Sequence, residues 1–179
     1  IKNDKVFNCV YFGRITQEKG IRFLFDNLEK IDENIKIDFY GPIDNDFKEY
    51  FFKKIDNEKF FYKGFLNFND EKSYYILNTY KLFIFPTYYS DEGFPGVIVD
   101  AYIAGIPILA SDWNYNPELI ENYKNGLLFK TNDSDDFIEK LNLLRNNLDL
   151  LEKIAANNRE KAKEFLPQNC LRKFLDEIK

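Results

Sequence analysis

The 179-residue sequence has no histidine, no methionine, one tryptophan and two cysteines. Without histidine, the chain cannot form a Ser-His or Cys-His nucleophile pair or offer an imidazole to a metal. Cys9 lies in an apolar strand-like run and Cys170 near the C-terminus, without CxxC or other metal-ligand spacing. That usage fits a reduced, cytoplasmic setting. No apolar run approaches the roughly 18 residues of a membrane span, and no signal peptide is recognisable. The lack of a methionine at position 1 reads as a chain that begins inside a longer protein or has lost its start. Positive charge is also in short supply, with 25 Lys and Arg against 30 Asp and Glu, a net charge of −5. A nucleic-acid or anionic-membrane surface is therefore not indicated, and an anionic ligand would have to be met by a few local cations.

What is present suffices for one hydrophobic core. The 19 Phe and 12 Tyr, alongside abundant Lys, Asn and Ile, read as compositional bias rather than as a cofactor box. Apolar runs alternate with helical patterns from end to end. Strand-like runs cover 6–12, 35–40, 59–64, 81–86, 107–111 and 126–129. Helical spacing predicts helices over 19–31, 44–56, Asp70 to Leu77, 94–104, 117–122, 133–146 and 148–165. Strands alternating with helices imply an α/β fold, a doubly wound, Rossmann-like parallel sheet with helices on both faces. In such a sheet, ligands bind beyond the carboxyl ends of the strands. The loops to watch are therefore Gly13-Arg14, Gly41-Pro42, Gly64-Phe65-Leu66 and the stretch after the fourth strand. The domain is expected over 1–166, with 167–179 a separate amphipathic helix presenting Leu171, Phe174, Leu175 and Ile178 on one side.

In "YFGRITQEKGI", Gly13 lets the chain turn closely after the first strand and Arg14 offers a planar fork of donors suited to phosphate. Lys19 falls near the next helix N-terminus, where free N–H groups favour anions. Two such cations can serve a diphosphate, although solvated surface charge is the blander reading of each. The spacing matches neither a Walker A loop nor G-x-G-x-x-G. In "YYSDEGFPGVIVDAYIAGIPILAS", Ser90 or Asp91 is expected to cap a helix and Pro95 to sit in its first turn. Val97, Ile98, Ala101 and Ala104 form the packed stripe, and Asp100 lies off it. Glu92 and Asp100 would then stand about 12 Å apart along the helix. That is too far to act as a glycosidase pair, whose carboxyls lie about 5–9.5 Å apart, but it suits gripping hydroxyls at two ends of an extended ligand. A carboxylate held by a neighbouring Lys or amide is the alternative for Asp100.

The segments "FGRITQEKG", "GFLNFNDEKSYYIL", "FPTYYSDEGFPGVIVDAYIAGIPILAS" and "PELIENYKNGLLF", in this order, resemble the C-terminal domain of GT-B fold, family 4 retaining glycosyltransferases. The most specific part is the E-x7-E-type motif from Glu92 to position 100, followed by Ala101, Gly105 and Pro107. The resemblance implies that Arg14 and Lys19, with Gly13, hold the diphosphate of a UDP-, GDP- or ADP-linked sugar and act at the leaving group in place of a metal or other cofactor. It implies that Glu92 and the backbone of Gly93, Phe94, Pro95 and Gly96 bind the transferred sugar and distal phosphate. Asp100 would take the ribose hydroxyls, and Gly64 to Leu66 would lie near the base. Glu118 and Gly126 match structural positions. The sequence departs from the pattern at Asp100, one methylene shorter than Glu, and at Pro95, which removes an amide donor.

The function implied is hexose-type glycosyl transfer in glycan or cell-surface polysaccharide biosynthesis. The implied protein is cytoplasmic or peripheral at the inner membrane face. The glycan or lipid-linked acceptor would be bound by an N-terminal domain toward which 167–179 packs, and without that domain the chain would be inactive. A GT-B-type sugar-nucleotide epimerase and a phosphorylase are the enzymatic alternatives, the latter without a candidate lysine region for pyridoxal phosphate. A receiver-like regulatory module would need acidic residues where Gly13-Arg14 and Gly64-Phe65 stand.

Overall fold

The computed structural model describes residues 6–55 and 58–169. Six apolar runs form one parallel sheet: β1 (Phe7–Phe12), β2 (Ile35–Tyr40), β3 (Phe60–Gly64), β4 (Leu82–Phe85), β5 (Ile108–Ser111) and β6 (Leu127–Phe129). Their order is β3-β2-β1-β4-β5-β6. The winding reverses between β1 and β4, the topological switch point at which a crevice opens beyond the strand ends. All four residues of β4 and of β5 are buried, the continuous apolar pattern of parallel strands covered on both faces. In β2, by contrast, Ile35, Ile37 and Phe39 are buried while Lys36, Asp38 and Tyr40 are half-buried.

The helices are α1 (Arg22–Asp26), α2 (Asn45–Lys54), α3 (Glu71–Leu77), α4 (Gly96–Ala104), α5 (Asn116–Leu119), α6 (Ser134–Arg145) and α7 (Leu148–Ala162). On one face, Phe25 of α1 packs on Phe39, Phe51 and Phe60, and Phe23 packs on Phe129 and Phe137. On the other, α4 packs between α3 and α7, over a cluster in which Phe12 stacks on Phe83 at 4.2 Å and meets Phe68 at 5.5 Å. Each such phenylalanine removed from water stabilises the fold by about 1.5–3 kcal/mol. Many of the phenylalanines thus serve the core, while Phe52, Phe65, Phe94, Tyr75, Tyr115 and Tyr123 remain exposed.

Asp70 caps α3, accepting from the Lys72 amide, and Asp44 and Asp133 cap α2 and α6 in the same way. Three expectations are corrected. The helix predicted over 19–31 is a wide helical turn, Gln17–Ile21, followed by α1, which ends at Asp26. There the Asn27 side chain donates to the Phe23 carbonyl and competes with continued helix. The helix predicted over 94–104 begins at Gly96, and neither Ser90 nor Asp91 caps it. Pro95 disfavours helical geometry at Phe94 and itself occupies the cap position with extended ψ. Glu92 therefore lies in a loop, and the 12 Å helical separation from Asp100 does not apply. The short helix expected over 117–122 covers only Asn116–Leu119, and Asn122 instead bridges to Gly126. Gly126 sits tight against the Ile108 carbonyl, whereas Glu118 is solvent-exposed. Cys170 and residues 170–179 of the expected last helix lie outside the described residues. Cys9 is a buried free thiol, and burial pushes its pKa up.

Two glycines set how closely the loops approach at the carboxyl edge. A Cβ on Gly41 would overlap the Gly13 carbonyl, and one on Gly20 would overlap the Pro86 carbonyl. Gly20 also has φ +80°, a left-handed value unfavourable to residues with a side chain. It brings the turn carrying Lys19 against the end of β4. Gly20→Ala is expected to destabilise the protein by about 1–3 kcal/mol from backbone conformation alone, with further cost from displacing Pro86. Urea unfolding of wild type and variant measures this, and an unchanged midpoint would contradict the packing described.

Candidate functional site

The crevice at the β1/β4 switch point is a pocket of about 150 Å³, lined by Tyr11, Gly13, Arg14, Lys19, Phe85, Glu92, Phe94, Pro95, Gly96 and Val97. Four segments build it. Strand β1 contributes Tyr11, whose hydroxyl donates to the Arg14 carbonyl at 2.6 Å and ties down the turn at Gly13. The helical turn after β1 contributes Lys19, whose amide is capped by the Thr16 hydroxyl. The loop after β4 contributes Glu92 and Phe94. Helix α4 contributes its first turn, where no side chain caps the start, so amide N–H groups of Gly96 and Val97 remain for a ligand.

At the centre, Lys19 Nζ meets Glu92 Oε2 at 2.5 Å, with the two side chains only 12% and 10% exposed. The fully buried Thr87 donates its hydroxyl to the same carboxylate oxygen at 2.8 Å. A buried pair with extra hydrogen bonds is costly to break but contributes little net stability against an apolar substitute. Arg14 lies 5.6 Å from the centroid of the Tyr89 ring, and Lys19 Nζ 5.1 Å from the same ring. The pocket thus holds two cations, one carboxylate and an uncapped helix start. Tyr11 is fully buried, and its pKa is pushed up by burial and then by the Glu92 charge.

Of the residues singled out in the sequence, the structure brings together Gly13, Arg14, Lys19, Glu92, Phe94, Pro95 and Gly96. Gly93 lies between two of them. Asp100 is not on this pocket. It sits further along α4 and accepts a hydrogen bond from the Tyr74 hydroxyl at 2.9 Å, so its partner is a tyrosine rather than a lysine or an amide. The Tyr74 pKa is pushed up to about 12 by burial and by Asp100. Gly64 and Leu66 also lie off the pocket, at the end of β3, two strands from β1. Their loop is stitched to the others by Gly41 N–H to the Gly64 carbonyl and Gly13 N–H to the Tyr40 carbonyl. The sequence reading missed Tyr11, Thr87 and Tyr89, because a hydroxyl or ring among so many Phe and Tyr carries no motif. It also missed the segment Ser111–Asn114, which supports the Glu92 loop from the neighbouring strand. Ser111 donates to the Thr87 carbonyl at 2.5 Å and the Trp113 indole N–H to the Tyr89 carbonyl at 2.8 Å.

A family profile described as Glycosyl transferases group 1 matches residues 1–161. The chain belongs to the glycosyl transferases group 1 family. It is 26% identical over 94% of its length to an uncharacterized glycosyltransferase of Methanocaldococcus jannaschii. It is also 26% identical over 93% of its length to the poly(ribitol-phosphate) alpha-N-acetylglucosaminyltransferase of Staphylococcus aureus. The chain spans 48% of the first protein and 34% of the second. In fold it is similar to Anabaena HepE, crystallised with UDP and glucose, with a TM-score of 0.81 and 20% identity over 97% of this chain and 48% of that one. It is likewise similar to the C-terminal domain of a glycosyl transferase group 1 protein from Francisella tularensis. There the TM-score is 0.70 and the identity 22%, over 86% of this chain and 83% of that domain. Both of these likenesses concern the fold. Among the described residues of this group 1 domain, no cluster of His, Cys, Asp and Glu could hold a metal ion, and no helix is long and apolar enough to cross a membrane.

Burial raises the Asp100 pKa above the usual 3.8, against a lowering by the Tyr74 hydrogen bond. The folded state therefore holds this proton more tightly than the unfolded chain. Its contribution to stability is full below the unfolded value and is lost as pH rises through the folded one. Asp100→Asn, which stays neutral, should gain stability relative to wild type between about pH 4 and pH 7. Urea midpoints at the two pH values check this, and a pH-independent difference would contradict it.

Proposed function

We propose that this chain is the donor-binding half of a retaining glycosyltransferase that takes a nucleotide-diphospho-sugar and passes the sugar to a glycan or lipid-linked acceptor. The observation that carries the reading is the convergence of Arg14, Lys19, Glu92 and the uncapped start of α4 on one pocket at the switch point. As the bond between the anomeric carbon and the diphosphate oxygen breaks, negative charge develops on the leaving group. Arg14, Lys19 and the α4 amides lie where such charge can be stabilised, with little reorganisation during the reaction. The three N–H donors of Lys19 allow it to keep Glu92 and still reach a phosphate. Glu92, an acceptor when ionised, suits the hydroxyls of the transferred sugar.

Asp100 is assigned to the ribose hydroxyls, and the backbone of Gly64 to Leu66 to the base. UDP is the favoured nucleotide, because it is bound in the HepE structure and in a structure of S. aureus TarM that is 25% identical to this chain. The acceptor, and the groups acting on the far side of the anomeric carbon, belong in this reading to another domain, since the chain spans 48% of the M. jannaschii relative and 34% of the S. aureus poly(ribitol-phosphate) enzyme. Acceptors related to capsular polysaccharide or poly(ribitol-phosphate) fit the names of two S. aureus relatives, CapM and the poly(ribitol-phosphate) enzyme.

Calorimetric titration of UDP-, GDP- and ADP-sugars into the full-length protein tests the proposal. One nucleotide sugar should bind, and Arg14→Ala should weaken it by about tenfold or more, as expected for a lost charged hydrogen bond. No binding at millimolar ligand, or an affinity unchanged in Arg14→Ala, would count against it. Residues 1–179 alone should transfer no sugar in a product assay. Turnover by that piece would remove the need for a second domain.

A further inference from the structure

Tyr89 and Trp113 lie outside the motif read from the sequence, on two different loops, yet they meet behind the pocket. The Tyr89 ring is half-buried and stands within 6 Å of both cations, 5.6 Å from Arg14 Cζ and 5.1 Å from Lys19 Nζ. Two like charges gathered in one small pocket repel each other before any ligand arrives. Glu92 offsets one of them, and the negative face of an aromatic ring attracts both. The Tyr89 backbone is fixed from three directions. Its carbonyl accepts from the Trp113 indole at 2.8 Å and from the Asn114 side-chain amide at 3.4 Å. Its own amide donates to the Thr87 hydroxyl at 3.3 Å, and the neighbouring Tyr88 amide bonds to the Glu18 carbonyl, beside Lys19. Asn114 further reaches the Ser90 and Glu92 carbonyls from a backbone with φ +45°, which asparagine tolerates better than most residues.

We propose that the Tyr89 ring, pinned through its carbonyl by Trp113, is the platform that positions Arg14 and Lys19 for the diphosphate. Both are positioning residues, acting through the cations rather than on the ligand itself. The inference rests on the donor-site reading above and adds to it the device that preorganises the two charges. It assigns a function to the only tryptophan of the chain. It also separates affinity for the second phosphate from affinity for the rest of the nucleotide.

The test uses the full-length protein and, of UDP, GDP and ADP, the diphosphate that wild type binds best, compared by calorimetry with its monophosphate. Wild type should prefer the diphosphate, and Tyr89→Phe, which keeps the ring, should retain that preference. Tyr89→Leu should reduce the diphosphate-to-monophosphate ratio about fivefold, and Trp113→Phe, which keeps an aromatic ring but loses the N–H, about threefold. Monophosphate affinity should stay within about twofold in both. A purely structural role would lower the melting temperature without moving the ratio. A wild-type ratio in folded Tyr89→Leu or Trp113→Phe overturns the inference alone, and either variant is enough to decide. A wild type that binds no nucleotide, or shows no preference for the diphosphate, overturns the donor-site reading and this inference together.

Discussion

The ion pair between Lys19 and Glu92 is the contact around which the site is arranged. It joins the turn after β1 to the loop after β4 across the switch point of the sheet, in a position largely shielded from solvent. An isolated charge there would be expensive, and a pair supported by the Thr87 hydroxyl is tolerable. Such a pair adds little to folding stability by itself. In the proposed reading, this pair in the crevice of a doubly wound sheet is a preformed receptor for a ligand with both phosphate and hydroxyl groups.

Much of the surrounding structure serves to bring those two segments together. Gly20 allows the Lys19 turn to lie against the end of β4, at a distance no side chain would permit. Pro95 delays the start of α4 until Gly96, which leaves Glu92 on a loop, free to turn into the pocket, and leaves the first amides of the helix uncapped. The loss of one amide donor at Pro95 is thus accompanied by a change in where the helix begins. From behind, Ser111 and Trp113 hold the loop through its carbonyls. The site is therefore shared by segments distant in sequence, and the parallel sheet is what places them at one edge.

The strands and most helices were legible in the sequence because their signals are local: continuous apolar runs in β4 and β5, and Asp70 at the start of α3. The convergence of Gly13, Arg14, Lys19 and Glu92 could be read from the rule that ligands lie at strand ends, aided by the resemblance around Glu92. Ser90 and Asp91, two good capping residues, point to an earlier start for α4 than the structure has, because Pro95 disfavours helical geometry at Phe94 and sets the start at Gly96. The hydrogen bond between Asp100 and Tyr74 and the Trp113 support of Tyr89 could not be read, since each joins positions 24 or more residues apart with no pattern linking them. Tertiary packing alone creates such contacts.

The most direct measurement is a crystal structure of the full-length protein with its nucleotide-diphospho-sugar bound. The account predicts the diphosphate at the β1/β4 crevice, within hydrogen-bond reach of Arg14, Lys19 and the first amides of α4, with a sugar hydroxyl on Glu92. A nucleotide sugar bound elsewhere on this domain, with the Lys19–Glu92 pocket left empty, would contradict it.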